Sequence, residues 1–164
     1  MITLFVLLIT IQDYICNALE KGNLEIMKWL FKNGCPLTKD TFYVAVIYGD
    51  LEIMIWLKEN GCPWDEDIFV RGIQEGNLDN IKWLFKNGCP YDEEVFETSV
   101  SFGNLDIIKW LFENGFPYEE DIFNTAVQSI RPWRVVKMLK NVKWFFENGF
   151  PYEEDIFETL MSRL

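Results

Sequence analysis

GNLEIMKWLFKNGCP, Gly22 to Pro36, decides the fold of this 164-residue chain. It returns as GDLEIMIWLKENGCP from Gly49, GNLDNIKWLFKNGCP from Gly76 and GNLDIIKWLFENGFP from Gly103, each copy 27 residues after the last. A fifth copy keeps only its second half, KWFFENGFP from Lys143 to Pro151, and arrives seven residues late. Self-similarity at a fixed period of this size implies a solenoid, in which each repeat covers the apolar side of its neighbour.

In the quoted stretch Leu24, Ile26, Met27, Trp29, Leu30 and Phe31 leave only Glu25, Lys28 and Lys32 as a polar stripe, so a helix buried on most sides is expected. Asn33-Gly34 ends it, because glycine takes the left-handed conformation that closes helices and Pro36 prevents continuation. The same stop recurs at Gly61, Gly88, Gly115 and Gly149. Past the proline come acidic runs, Asp65-Glu66-Asp67, Asp92-Glu93-Glu94, Glu119-Glu120-Asp121 and Glu153-Glu154-Asp155. Carboxylates there cap free amides and suit the positive end of a helix dipole, so a second helix should begin at each run. Its inward positions read Phe42, Phe69, Phe96, Phe123 and Phe157, followed three residues later by the small residues Ala45, Gly72, Ser99 and Ala126. Leu160 breaks the small-residue column in the last repeat. The recurrent Trp29, Trp56, Trp83, Trp110 and Trp144 read as core. Alanine at Trp83 should then cost about 3 to 5 kcal/mol.

GNLEIMKWLFKNG resembles the second helix of an ankyrin repeat, G-H/N-L-E-I-V-x-x-L-L-x-x-G. The phenylalanine and small-residue columns fall where that family has the leucine and alanines of its T-P-L-H-x-A-A helix. Ankyrin repeats have about 33 residues, and 27 leaves no room for their projecting β-hairpin finger; the T-P-L-H tetrapeptide is missing too. The NGCP-W/Y-D/E-E-D-x-F form is similar to the short ankyrin-like repeats of large DNA viruses of amoebae and of some protists. The resemblance runs from about Asp13 to the C-terminus and implies an all-α fold, an α-solenoid of ankyrin-like helix pairs lacking the long fingers. Residues 1–164 then form one repeat domain. It has an incomplete first repeat over 1–21 with an apolar cap, full repeats over 22–48, 49–75, 76–102 and 103–129, and a last repeat over 130–164 with an insertion at 130–136.

Composition narrows the function. A net charge of −11 opposes nucleic acid and anionic membranes as partners of the whole surface and favours a neutral or basic protein. Histidine is absent, which removes the commonest general base, the usual zinc partner of cysteine and every His-dependent triad. Cys35, Cys62 and Cys89 share one repeat position, and stacked helical repeats about 8 to 10 Å apart exceed the roughly 7 Å that a disulfide spans. Reduced thiols and a cytoplasmic setting follow, the host cytoplasm if the viral resemblance holds. The acid triplets recur without specialisation or EF-hand spacing, and no phosphate loop or nucleophile elbow is present. No enzyme, cofactor or metal is therefore expected. The apolar run MITLFVLLITI, residues 1–11, is shorter than the roughly 20 residues that span a bilayer. It reads as a cap, and a signal peptide cleaved after Ala18 stays open as the alternative. Against the signal, no Lys or Arg precedes the run, and Asp13–Asn23 aligns in register with Asp40–Asp50.

What the resemblance implies is a monomeric protein-binding module docking a protein partner, a host protein if viral; the alternative is a structural spacer in a longer array. Contacts should gather where repeats differ, since positions serving a shared core must repeat. Tyr43, Tyr48, Arg71 and Phe102 lie at such positions, with Trp64 on the turn side. Packing of Tyr48 and Phe102 on the next repeat is the competing reading. The repeat is broken once, by IRPWRVVKMLKNV, where Arg131, Arg134, Lys137, Lys140 and the following Lys143 bring five cations and no acid. Pro132 suits a helix start, so the insertion should lengthen the next helix by about two turns. Those turns should project past the edge of the stack as a basic, tryptophan-bearing knob, where Arg134, Lys137 and Lys140 would hold an acidic peptide or a phosphate-bearing partner. Alternatively Trp133, Val135, Val136 and Met138 fold back over the neighbouring repeat.

Overall fold

The computed structural model describes residues 14–48 and 50–163, among which every regular element is helical and no strand occurs. The apolar segment 1–11, read as cap or signal, lies outside the described residues. The helices are α1 over 14–20, α2 (Leu24–Lys32), α3 (Lys39–Tyr48), α4 (Leu51–Glu59), α5 (Glu66–Glu75), α6 (Leu78–Lys86), α7 (Val95–Phe102), α8 (Leu105–Glu113), α9 (Ile122–Gln128), α10 (Val135–Glu147) and α11 (Ile156–Ser162). They fall into two compact units, Met1–Pro90 and Tyr91–Leu164. In the first, α3 packs on α4 and α5, and α5 on α6; in the second, α7 packs on α8 and α9, and α9 on α10 and α11.

Repeated dipeptides make the helix ends. At Gly103 the backbone is left-handed, with φ at 75°, so the conformation calls for glycine, and a Cβ, 2.5 Å from Met138 Sδ, would also make the methionine tip shift. The polar residue after such a glycine starts the next helix. Asn77 Oδ1 accepts from the backbone N–H groups of Asp79 at 3.1 Å and Asn80 at 3.2 Å, and Asn23, Asp50 and Asn104 cap α2, α4 and α8 likewise. At the far end Gly88 N–H donates to the Phe85 carbonyl at 3.1 Å and Cys89 N–H to the Leu84 carbonyl at 3.0 Å, a Schellman closure. Asn87 Nδ2 adds a bond to the Trp83 carbonyl at 2.8 Å, and Asn33, Asn60, Asn114 and Asn148 do the same to their own tryptophans. That closure buries the residue after glycine, which is Cys35, Cys62, Cys89, Phe116 or Phe150. The cysteines are free thiols at a position that wants an apolar side chain.

The acidic runs act differently from expectation. Asp65, Glu94, Asp121 and Asp155 stand at the caps of α5, α7, α9 and α11, yet none makes a side-chain cap bond. The last three helices start beyond the end of their runs, so most of those carboxylates lie in the preceding turn; there Asp92 Oδ1 accepts from the Glu94 backbone N–H at 3.0 Å, and the acids otherwise suit the helix dipole through charge.

The core follows the repeat with two corrections. Phe42, Phe69, Phe96 and Phe123 are fully buried beside Ala45, Gly72, Ser99 and Ala126, but Phe157 is exposed, because α11 packs on α9 with no further described helix beyond it. The tryptophans are not core: Trp29 is 63% exposed, and Trp56, Trp83, Trp110 and Trp144 are half-buried. Each helix of the quoted kind buries one stripe, such as Ile107, Ile108 and Leu111 in α8. In two of them the Trp lies edge-on against the phenylalanine of the preceding repeat, Trp56 on Phe31 at 5.6 Å and Trp144 on Phe112 at 5.5 Å.

The insertion forms a 3-10 turn, Pro132–Arg134, before α10. Helix α10 has 13 residues against nine in α8, a gain of about one turn in place of two, since the first inserted residues went into the 3-10 turn.

Candidate partner-binding surfaces

In the first compact unit α3 and α5 lie side by side, and a groove of about 470 Å³ runs between them, its walls including Lys39, Asp40, Tyr43, Asp67, Val70 and Gln74. Arg71 occupies its middle. The guanidinium lies 5.3 Å from the Tyr43 ring, Nη1 donates to Gln74 Oε1 at 3.2 Å, and Nη2 pairs with Glu75 one helical turn away. Its Nε is buried without a partner. Lys39 Nζ bonds Asp65 at 2.8 Å, which raises the lysine above its usual range, first through that hydrogen bond and then through the charge of Asp65. The groove therefore presents both signs of charge around one aromatic ring. The sequence expectation put Tyr43 and Arg71 on one variable surface of successive second helices but did not pair the two side chains with each other.

Tyr48 is exposed at the end of α3, away from this groove. Trp64, expected as a turn-side contact, is instead packed. Its ring is 5.2 Å from Phe42 and 6.1 Å from Trp83, with the Lys58 ammonium 3.5 Å above it. Tyr118 on Phe96 at 5.1 Å and Tyr152 on Phe123 at 5.2 Å repeat that contact, so Trp64 closes the phenylalanine column as they do.

In the second compact unit Phe102 is half-buried and shares a cleft of about 310 Å³ with Ser101, Ser129, Trp133, Arg134 and Met138. Met138 is buried against Gly103, and Val135 is half-buried, whereas Trp133 and Val136 are 78% and 74% exposed. The fold-back reading therefore holds for Met138 and fails for the tryptophan, whose 3-10 turn carries it away from the core. Arg131 Nη1 donates to the backbone carbonyls of Gln128 and Ile130 at 2.8 and 3.1 Å, and Lys143 pairs with Glu147 at 3.6 Å. Arg134, Lys137 and Lys140 are exposed. Partial desolvation and the adjacent Arg134 lower Lys137 from its usual range. Val136 was absent from the sequence-derived contact set; hydrophobicity alone assigns such a residue inward.

Burial pushes the thiols of Cys62 and Cys89 from 9.0 up to about 12. Among the described residues no group of three Cys, Asp and Glu side chains is placed to hold a metal ion, and no helix is long and apolar enough to cross a membrane. Compared with known proteins, the chain matches no family model and no curated relative.

Proposed function

We propose that the chain is a protein-binding module, an α-solenoid of short ankyrin-like helix pairs that docks a protein partner on the variable surface of its phenylalanine-bearing helices. The α3/α5 groove is the observation that carries this reading. Tyr43, Val70, Arg71 and Gln74, four of its lining residues, all sit at repeat positions whose identity changes from copy to copy, while the columns beneath them, Phe42 with Phe69 and Ala45 with Gly72, stay apolar or small. A surface built on a constant core from changing residues is what partner recognition needs, and an aromatic beside an arginine is the pairing most often found where binding energy concentrates. The missing fingers leave helix faces and short turns to make the contacts.

The test is photo-crosslinking from a benzoylphenylalanine placed at Val70 in cells that produce the chain. One partner should be captured in stoichiometric amount, and Tyr43→Ala with Arg71→Glu should abolish its capture while the helical circular dichroism stays intact. Capture that is equally strong in the double variant, or spread over many proteins, would favour the spacer reading.

A further inference from the structure

We propose that the turn and helix start over residues 131–140 form a second docking surface, specific for an acidic peptide segment with an apolar anchor. It shares no residue with the α3/α5 groove, so the two readings stand or fall separately.

Charge comes first. Of the four cations in this stretch and Lys143 just beyond it, Arg131 is spent on two backbone carbonyls and Lys143 on Glu147. Arg134, Lys137 and Lys140 have no ion pair among the described residues, although the chain as a whole carries a net charge of −11. Their position also runs against the local electrostatics. Arg134 and Lys137 flank the start of α10, where the helix dipole repels cations, and the first turn holds no acid. Helices α2, α4, α6 and α8 each carry an acid there. A local rule broken at one place without internal compensation marks a site whose compensation comes from outside.

Apolar surface comes second. Trp133 and Val136 are among the most exposed large apolar side chains of the described residues, and they stand beside the three unpaired cations. Trp133, Arg134, Val135, Val136, Lys137 and Lys140 together line a cleft of about 430 Å³. Trp133 and Arg134 also border the cleft that contains Phe102. An indole between two clefts, ringed by cations, suits a segment that inserts an apolar side chain and places carboxylates around it.

The size of the patch decides between anionic partners. A membrane plane or a long nucleic acid approaching it would meet the acidic remainder of the molecule, and screening acts only beyond about 8 Å at physiological salt. A short peptide touches the basic patch alone.

Fluorescence anisotropy with a labelled peptide of Glu and Asp residues around one central phenylalanine tests this. Binding is expected, weakening at least about tenfold as salt rises from about 0.05 to 0.3 M. Arg134→Glu/Lys137→Glu/Lys140→Glu should abolish it, and Trp133→Ser should weaken it about tenfold, with circular dichroism unchanged in both. Should the reversed variant unfold, the triple glutamine variant decides. Tyr43→Ala/Arg71→Glu, which disrupts the groove, should bind this peptide normally. Undiminished binding by the triple variants would overturn the proposal, as would equal affinity for an all-glutamate peptide together with indifference to Trp133→Ser. Tighter binding of phosphatidylserine vesicles or a single-stranded DNA oligomer than of the peptide would overturn it in favour of that ligand.

Discussion

Asn80 and Asn141 occupy the repeat position that Ile53 and Ile107 fill in α4 and α8, and they are as buried, at 2% and 1% exposure. Asn80 leaves its Nδ2 without a partner, and Asn141 leaves both Nδ2 and Oδ1. An orphaned buried polar group costs about 1 to 3 kcal/mol, and a buried isoleucine contributes about 1.5 to 3 kcal/mol relative to an exposed one. The larger side chain risks overpacking of about 1 to 3 kcal/mol, reduced here because the same position seats isoleucine in two other repeats. Asn80→Ile and Asn141→Ile should each stabilise the chain by about 2 kcal/mol, Asn141→Ile by more. The two residues lie in different compact units, so the effects should add. At about 2 to 4 °C per kcal/mol for a chain of this length, each variant should raise Tm by about 4 to 8 °C. Thermal melts followed by circular dichroism measure this. The control is Asn33→Ile, which removes an exposed bond to the Trp29 carbonyl and should lower Tm. Unchanged or lowered Tm in both core variants would refute the reasoning and show that these asparagines are satisfied in solution.

Raised thiol pKa values imply an alkaline limit. The folded state holds the protons of Cys62 and Cys89 up to about pH 12, so their contribution is complete below about pH 9 and is lost as pH climbs from there toward 12. Tm measured against pH should fall less steeply over that window in Cys62→Ala/Cys89→Ala than in the parent; parallel curves would refute it. Trp83→Ala should cost about 2 kcal/mol, below the range for a fully buried ring, because part of the indole faces solvent. Urea titration measures this, and a loss above about 4 kcal/mol would show that Trp83 is core after all.

Much of the local architecture was legible because each repeat states it several times. Asn-Gly followed by a buried Cys or Phe is a helix stop on stereochemical grounds alone, and the small-residue column could be read from size. The Gly-Asn joints were equally readable as a left-handed stop followed by a cap, yet the acidic runs drew the capping role, because carboxylates near a helix start look alike whether or not they bond to it. For the contact surfaces, variation among repeats pointed to Tyr43, Arg71 and Phe102. It misplaced Trp64, which is variable in identity but constant in its contact with the phenylalanine column.

By itself the sequence determined the existence of the helices, the Asn-Gly stops, the period and the burial of Phe42, Phe69, Phe96 and Phe123, all of which depend on backbone stereochemistry and on spacing along one chain. Only the tertiary structure decided which side of each tryptophan helix is covered. Leu24, Ile26, Met27, Trp29, Leu30 and Phe31 are apolar nearly all round, so periodicity supplies no preferred direction, and the neighbouring helices choose Met27 and Leu30 for burial. Trp133 and Met138 differ for the same reason. Both are apolar residues of one insertion, but the 3-10 turn and the glycine at position 103 give only the methionine a place to pack.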